Sequence, residues 1–89
     1  MNRKECLEEA GKAVLTDREN TYGAPENNFK IISSLWSEYL GAEISPEDVA
    51  NMMILLKVAR TASGKYNPDN YVDIAGYAAC AAEIGADNE

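Results

Sequence analysis

The sequence predicts an all-α, single-domain protein spanning residues 1–89, and three observations carry that reading. Apolar residues recur at three- and four-residue spacing in four separate stretches. Prolines and cap-forming residues stand at the starts of these stretches, and Gly41, Gly64 and Gly85 stand at their ends. No segment alternates apolar and polar residues as a strand would. The spacing places helices at about 2–15, 25–40, 46–63 and 68–84.

The first helix opens at Asn2, which can cap it, with Glu5 at the third helical position. Cys6, Leu7, Ala10, Ala13 and Val14 form its apolar stripe. Glu5 and Glu8 make an E-x-x-E pair, a spacing that can hold a hard cation, although a solvated face is the simpler reading. Thr16 to Ala24 has no apolar periodicity and reads as a loop turning at Gly23. Its Asp17, Arg18, Thr21 and Tyr22 are unusual in a plain connector, and ordered polar loops often carry function.

The second helix begins at Pro25, with Glu26 at the positive end of its dipole. Phe29, Ile32, Leu35, Trp36 and Tyr39 form a core-facing stripe, and Gly41 supplies the stop. Asn27 and Asn28 lie beside the polar loop, where they could meet a polar ligand. The third helix has the fullest entry signal. Ser45 caps it, Pro46 fits the first position, Asp48 completes a capping box, and Ile44 can staple to Val49. Val49, Met52, Leu56 and Ala59 make one stripe, and Ile54, Leu55 and Val58 cover a second side. A helix apolar nearly all round is usually buried, so this helix is expected to organise the rest. The short link after Gly64 implies an antiparallel return. Asn67 and Pro68 start the fourth helix, whose stripe runs through Tyr71, Ile74, Ala75, Ala78, Ala79, Ala82 and Ile84. Its many small residues permit close approach of a neighbouring helix.

Composition narrows the function. The net charge of −7 disfavours non-specific nucleic-acid binding, which relies on Lys and Arg. There is no histidine, and Cys6 and Cys80 lack metal-ligand spacing, so His-based catalysis and a zinc site are disfavoured. The cysteines read as small buried residues. The longest apolar run, Met52 to Leu56, is too short to span a membrane, and a cytosolic location is expected. A domain of this size buries only about 60–65 % of its unfolded surface. An all-round apolar helix is hard to cover within it, so a homo-oligomer is expected.

The polar residues inside the apolar pattern are the candidate site. Lys57 and Arg60 lie one turn apart on the third helix, and Asp69, Asp73 and Tyr77 lie on one line of the fourth. A hairpin turning near Lys65 and Tyr66 brings Asp73 within reach of both cations. Unpaired burial of such charges is costly, so a shared network is expected. Two readings follow. One is a structural ion-pair network that sets helix register. The other is a pocket in which Lys57 or Arg60 holds a phosphate and Asp69 or Asp73 holds Mg²⁺.

Three blocks, TYGAPENNF from Thr21, DVANMMILLKVAR from Asp48 and DNYVDIAGYAA from Asp69, resemble a group of small phage and prophage proteins of unassigned function. That group is related in pattern to the MazG-like all-α NTP pyrophosphatases, and the Asp73-Ile74-Ala75-Gly76-Tyr77 segment is similar to the end of their E-x-x-D helix. The resemblance implies a four-helix MazG-like bundle in which carboxylates hold Mg²⁺ against nucleotide phosphates. Asp73 matches the final Asp of that pattern, Asn70 stands where its Glu belongs, and the third helix has no E-x-x-E. The resemblance therefore implies the scaffold and a nucleotide-sized pocket more strongly than the reaction.

The function expected from these residues is binding of a nucleotide or nucleotide-derived ligand, with NTP pyrophosphohydrolase activity as its enzymatic form. Arg18, Lys57 and Arg60 would meet phosphate, Tyr22 or Trp36 would stack on a base, Asn28 would add a polar contact, and Asp69 and Asp73 would hold Mg²⁺. The alternative is a non-catalytic phage accessory protein in the bacterial host cell. It would antagonise host defence by sequestering a nucleotide signal or blocking a host protein.

Overall fold

The computed structural model describes residues 1–17 and 25–87, with side-chain surroundings for 1–16 and 28–87. Its elements are α1 (Arg3–Lys12), a π-helical turn (Ala13–Asp17), α2 (Pro25–Leu40), α3 (Pro46–Thr61) and α4 (Pro68–Asp87). No strand occurs among the described residues. The all-α expectation stands, and the element starts fall where caps and prolines put them.

The caps are formed as the sequence requires. The Asn2 side chain accepts the Glu5 N–H at 2.8 Å, and the Glu5 carboxylate accepts the Asn2 N–H at 3.4 Å. The reciprocal pair at Ser45 and Asp48 closes with two bonds of 3.0 Å. Asn67 accepts the Asp69 N–H at 3.0 Å. Each pairing satisfies amide donors that a helix start leaves open. At the stops, Gly41 has φ 65° and Gly64 has φ 78°, the left-handed conformation that glycine adopts without strain. The chain between α2 and α3 is held by Ser37, whose hydroxyl accepts the Ile44 N–H at 2.9 Å and donates to the Ile44 carbonyl at 3.1 Å.

Three boundaries depart from expectation. The first helical segment winds on to Asp17 rather than ending at Leu15, because neither Gly nor Pro interrupts the chain between Lys12 and Asp17. Helix α3 ends at Thr61, two residues before Ser63. Helix α4 runs to Asp87, through Gly85. Gly85 is used for close approach instead of as a stop: a Cβ there would lie 2.5 Å from the Glu47 carboxylate of α3.

The hub is α4, not α3. It has the most extensive contact with α3 and the next with α1, while α2 packs mainly on α3. The start of α3 meets the end of α4 at Glu47 and Gly85, and the end of α3 meets the first half of α4 at Lys57 and Asp73. The two are therefore antiparallel, as the short link implied. The buried seam of α4 is Val72, Gly76, Cys80 and Ile84, at strict four-residue spacing. This corrects the expected stripe: Ile74 and Ala75 are half-buried, while Tyr71, Ala78, Ala79 and Ala82 are exposed. In a run this rich in alanine, apolar spacing alone does not orient a helix.

The same correction applies to the other faces. On α3, Val49 and Ala50 are buried and Met53, Ile54 and Lys57 half-buried, whereas Met52, Leu55, Leu56 and Val58 lie outside. On α2, Phe29 and Ser33 are buried with Ile32 and Trp36 beside them, while Leu35 and Tyr39 are exposed. Ser33 can occupy a buried position because its hydroxyl donates to the Lys30 carbonyl at 2.9 Å. On α1, Ala10 is buried and Leu7 is exposed.

The core cluster is Phe29, Val49, Ala50, Cys80 and Ile84, with Val14, Trp36 and Met53 among the half-buried residues around it. Where the π-helical turn after α1 crosses α4, a Cβ on Gly76 would stand 3.0 Å from the Val14 Cγ1. This is the close approach that the small residues of α4 foreshadow. Gly76→Leu is expected to lose about 1–3 kcal/mol by forcing these helices apart. Urea unfolding, read by helical circular dichroism, checks this.

Candidate functional site

The hairpin of α3 and α4 places one cation against one carboxylate. Lys57 Nζ lies 2.9 Å from Asp73 Oδ2, with the lysine side chain 16 % and the aspartate 39 % exposed. Lys57 is the charged residue of an apolar run, and its position on α3 turns it toward α4 beside Met53. Asp73 follows the buried Val72, so its carboxylate stands at the edge of the seam and is half open to solvent. A pair like this fixes register between antiparallel helices and leaves one carboxylate oxygen facing outward.

Arg60 does not join the pair. It is exposed at the end of α3, one turn beyond Lys57, and has no ion-pair partner among the described residues. The expected three-member network is thus one pair plus a separate guanidinium. Lys57 is half-buried against α4, whereas Arg60, one turn on, is exposed in the last turn of the helix. Asp69 is exposed one turn before Asp73. Among the described residues no group of three His, Cys, Asp or Glu side chains could hold a metal ion.

The remaining candidates separate as follows. Asn28 is half-buried in the first turn of α2. Arg18 and Tyr22 lie outside the described residues. Trp36 packs against the core cluster, so its ring is occupied by packing. Glu5 serves the Asn2 cap, and Glu8 pairs with Lys4 at 3.9 Å on an exposed face, which accounts for the E-x-x-E spacing. Cys80 is buried as expected and Cys6 half-buried.

Two features were missed from the sequence. Tyr77 stacks obliquely on Phe29, centroid to centroid 6.3 Å, which ties α4 to α2 directly below the Asp73 turn. The four-residue line through Asp69, Asp73 and Tyr77 was the available signal. An open cleft of about 160 Å³ also lies between the start of α1 and the start of α4, where Tyr66 and Tyr71 sit 6.4 Å apart beside Arg3 and Cys6. It is smaller than typical ligand pockets of about 300–1,000 Å³.

Residues 5–85 match the model of a domain of unknown function, DUF6378. The chain is 49 % identical over 78 residues to the Gene 55 protein of Mycobacterium phage D29, covering 88 % of this chain and 52 % of that protein. It is 47 % identical over 73 residues to the Gene 55 protein of Mycobacterium phage L5, covering 81 % and 47 %. The chain thus spans about half the length of these relatives. No solved structure matches it. Among the described residues no helix is long and apolar enough to cross a membrane.

Proposed function

The chain belongs to the DUF6378 family, and we propose that it acts by binding rather than by catalysis, holding a nucleotide or nucleotide-derived ligand by its phosphates at the α3–α4 hairpin. The observation that carries this reading is an exposed Arg60, without an ion-pair partner among the described residues, one turn from a half-open Lys57–Asp73 pair on a chain of net charge −7. A guanidinium offers a planar fork of donors that matches phosphate oxygens. Lys57 adds positive charge at the floor, and Asp73 holds that ammonium in place.

Residual pyrophosphohydrolase activity would need Mg²⁺ held by Asp69 and Asp73, with Asn70 supplying no charge where a third carboxylate would help. The MazG-like scaffold and a place in the cytosol of the bacterial host belong to the same proposal. So does a role in antagonising host defence, as a sink for a nucleotide signal. A second form of that role, contact with a host protein, draws on the many apolar side chains exposed on α2 and α3.

A panel of nucleoside mono-, di- and triphosphates with inorganic phosphate, read by thermal shift with and without Mg²⁺, tests the binding. A ligand at about 100 times its dissociation constant adds about 2.7 kcal/mol of stability. The expected result is a shift with one class of phosphate ligand that Arg60→Met abolishes while the unliganded melting temperature stays unchanged. No shift with any member, or an equal shift in Arg60→Met, contradicts the assignment.

A further inference from the structure

Helix α3 is dressed the wrong way round for a monomer. From Asn51 to Ala59 its one charged residue, Lys57, faces α4, and its solvent side carries Met52, Leu55, Leu56, Val58 and Ala59 with no charge at all. Leu55 is 66 % and Leu56 42 % exposed. Met52, Leu55, Leu56 and Ala59 repeat at three- and four-residue spacing, so they form one exposed stripe that borders the buried line of Val49, Ala50 and Met53 and turns away from α4. On α2, which packs on α3, Ile31, Leu35 and Tyr39 make a second exposed line at four-residue spacing.

The area agrees with this pattern. The chain exposes 6186 Å². A compact 9.7 kDa monomer is expected to expose about 5,100 Å². The surplus is about 1,000 Å², and a standard interface takes about 800 Å² from each partner. The radius of gyration points the same way, 13.6 Å against about 12 Å for a compact domain of this length.

We infer that the outer stripe of α3 is the seam of a homodimer, in which two copies pack Met52, Leu55, Leu56 and Ala59 against each other. Charge selects a second copy as the occupant. A basic partner would be recognised by acidic side chains, and this stripe has none within it. Two chains of charge −7 repel each other, and an uncharged stripe such as that of α3 is where their contact costs least. The α2 line extends the contact. This goes beyond the phosphate site: Arg60 stands one turn past Leu56 at the end of the stripe, but the seam is tested at Leu55 and the phosphate site at Arg60, so each can fail without the other.

Sedimentation equilibrium of the 89-residue chain across the micromolar range tests the inference, with Leu55→Glu as the variant. The expected result is a dimer whose dissociation constant rises at least about 100-fold in Leu55→Glu, because each subunit would bring an unpaired carboxylate into the seam. Leu55 is mostly exposed in the single chain, so helical circular dichroism should remain near wild type at low concentration. Leu55→Cys is the second probe. Mild oxidation should yield a covalent dimer rapidly, and Leu7→Cys, on exposed α1, should not cross-link at that rate. A monomer throughout the range, a dimer indifferent to Leu55→Glu, or equal cross-linking at both cysteines overturns the proposal.

Discussion

Replacing Phe29 by alanine is expected to remove about 3–5 kcal/mol of stability, the usual cost of deleting a fully buried aromatic side chain. Phe29 is 1 % exposed and stands at the centre of the core cluster, beside Val49 and against the ring of Tyr77. Few other large side chains are as fully covered, so neighbours have little with which to fill the space. A domain of this length has a total stability of about 5–13 kcal/mol. The substitution therefore consumes a large share of it, and the variant should lose its cooperative transition or show a midpoint displaced by more than any surface change produces. Urea titration followed by tryptophan fluorescence reads this through Trp36, which packs on the same cluster. A loss under 1 kcal/mol would mean that the cluster around Phe29 is not the core.

The second large effect is an asymmetry. Asp73→Ala is expected to cost about 1–2 kcal/mol, whereas Lys57→Met should stay within about 0.5 kcal/mol of wild type. The two substitutions break the same 2.9 Å pair but strand different partners. Without Asp73, the Lys57 ammonium is left at 16 % exposure among apolar residues, with no carboxylate to offset its lost hydration. Without Lys57, the Asp73 carboxylate is 39 % exposed and water can replace the lost partner, while methionine packs beside Met53. Solvent screening at the aspartate end holds the whole effect below the range for fully buried pairs. Equal losses in the two variants would mean that water reaches both ends alike. The reverse order would show that Lys57 has a structural role beyond the pair.

The helices, their starts and the antiparallel hairpin are legible in the sequence because each has a local cause. Asn2 with Glu5, Ser45 with Asp48, and Asn67 with Pro68 are pairings between near neighbours, and nothing distant overrides them. The inward faces are less legible. Orientation is read from the contrast between apolar and polar residues, and α3 and the second half of α4 offer little contrast. The stripe through Val49, Met52, Leu56 and Ala59 and the line through Val49, Ala50 and Met53 are equally apolar. What separates them is which side the partner helix takes, and that is a tertiary fact. Leu35 and Tyr39 misled for the same reason, since α2 carries two apolar lines and buries the one containing Ser33. At the candidate site, Lys57 with Asp73 could be read from distances to the turn. Arg60 could not, because it shares a face with Lys57, and which of the two meets Asp73 depends on where α4 lies. Arg18 and Tyr22 fall outside the described residues.

Native mass spectrometry of the protein purified from its expressing cells, wild type beside Arg60→Met, tests the central proposal of a phosphate-binding hairpin most directly. Mild denaturation would release any retained ligand for identification by mass. The expected result is a phosphate-bearing small molecule retained by the wild type and absent from a folded Arg60→Met. Wild-type protein that is empty and also refuses added nucleotides, or ligand retained undiminished by Arg60→Met, would contradict it and leave Lys57 and Asp73 as a structural clamp between α3 and α4.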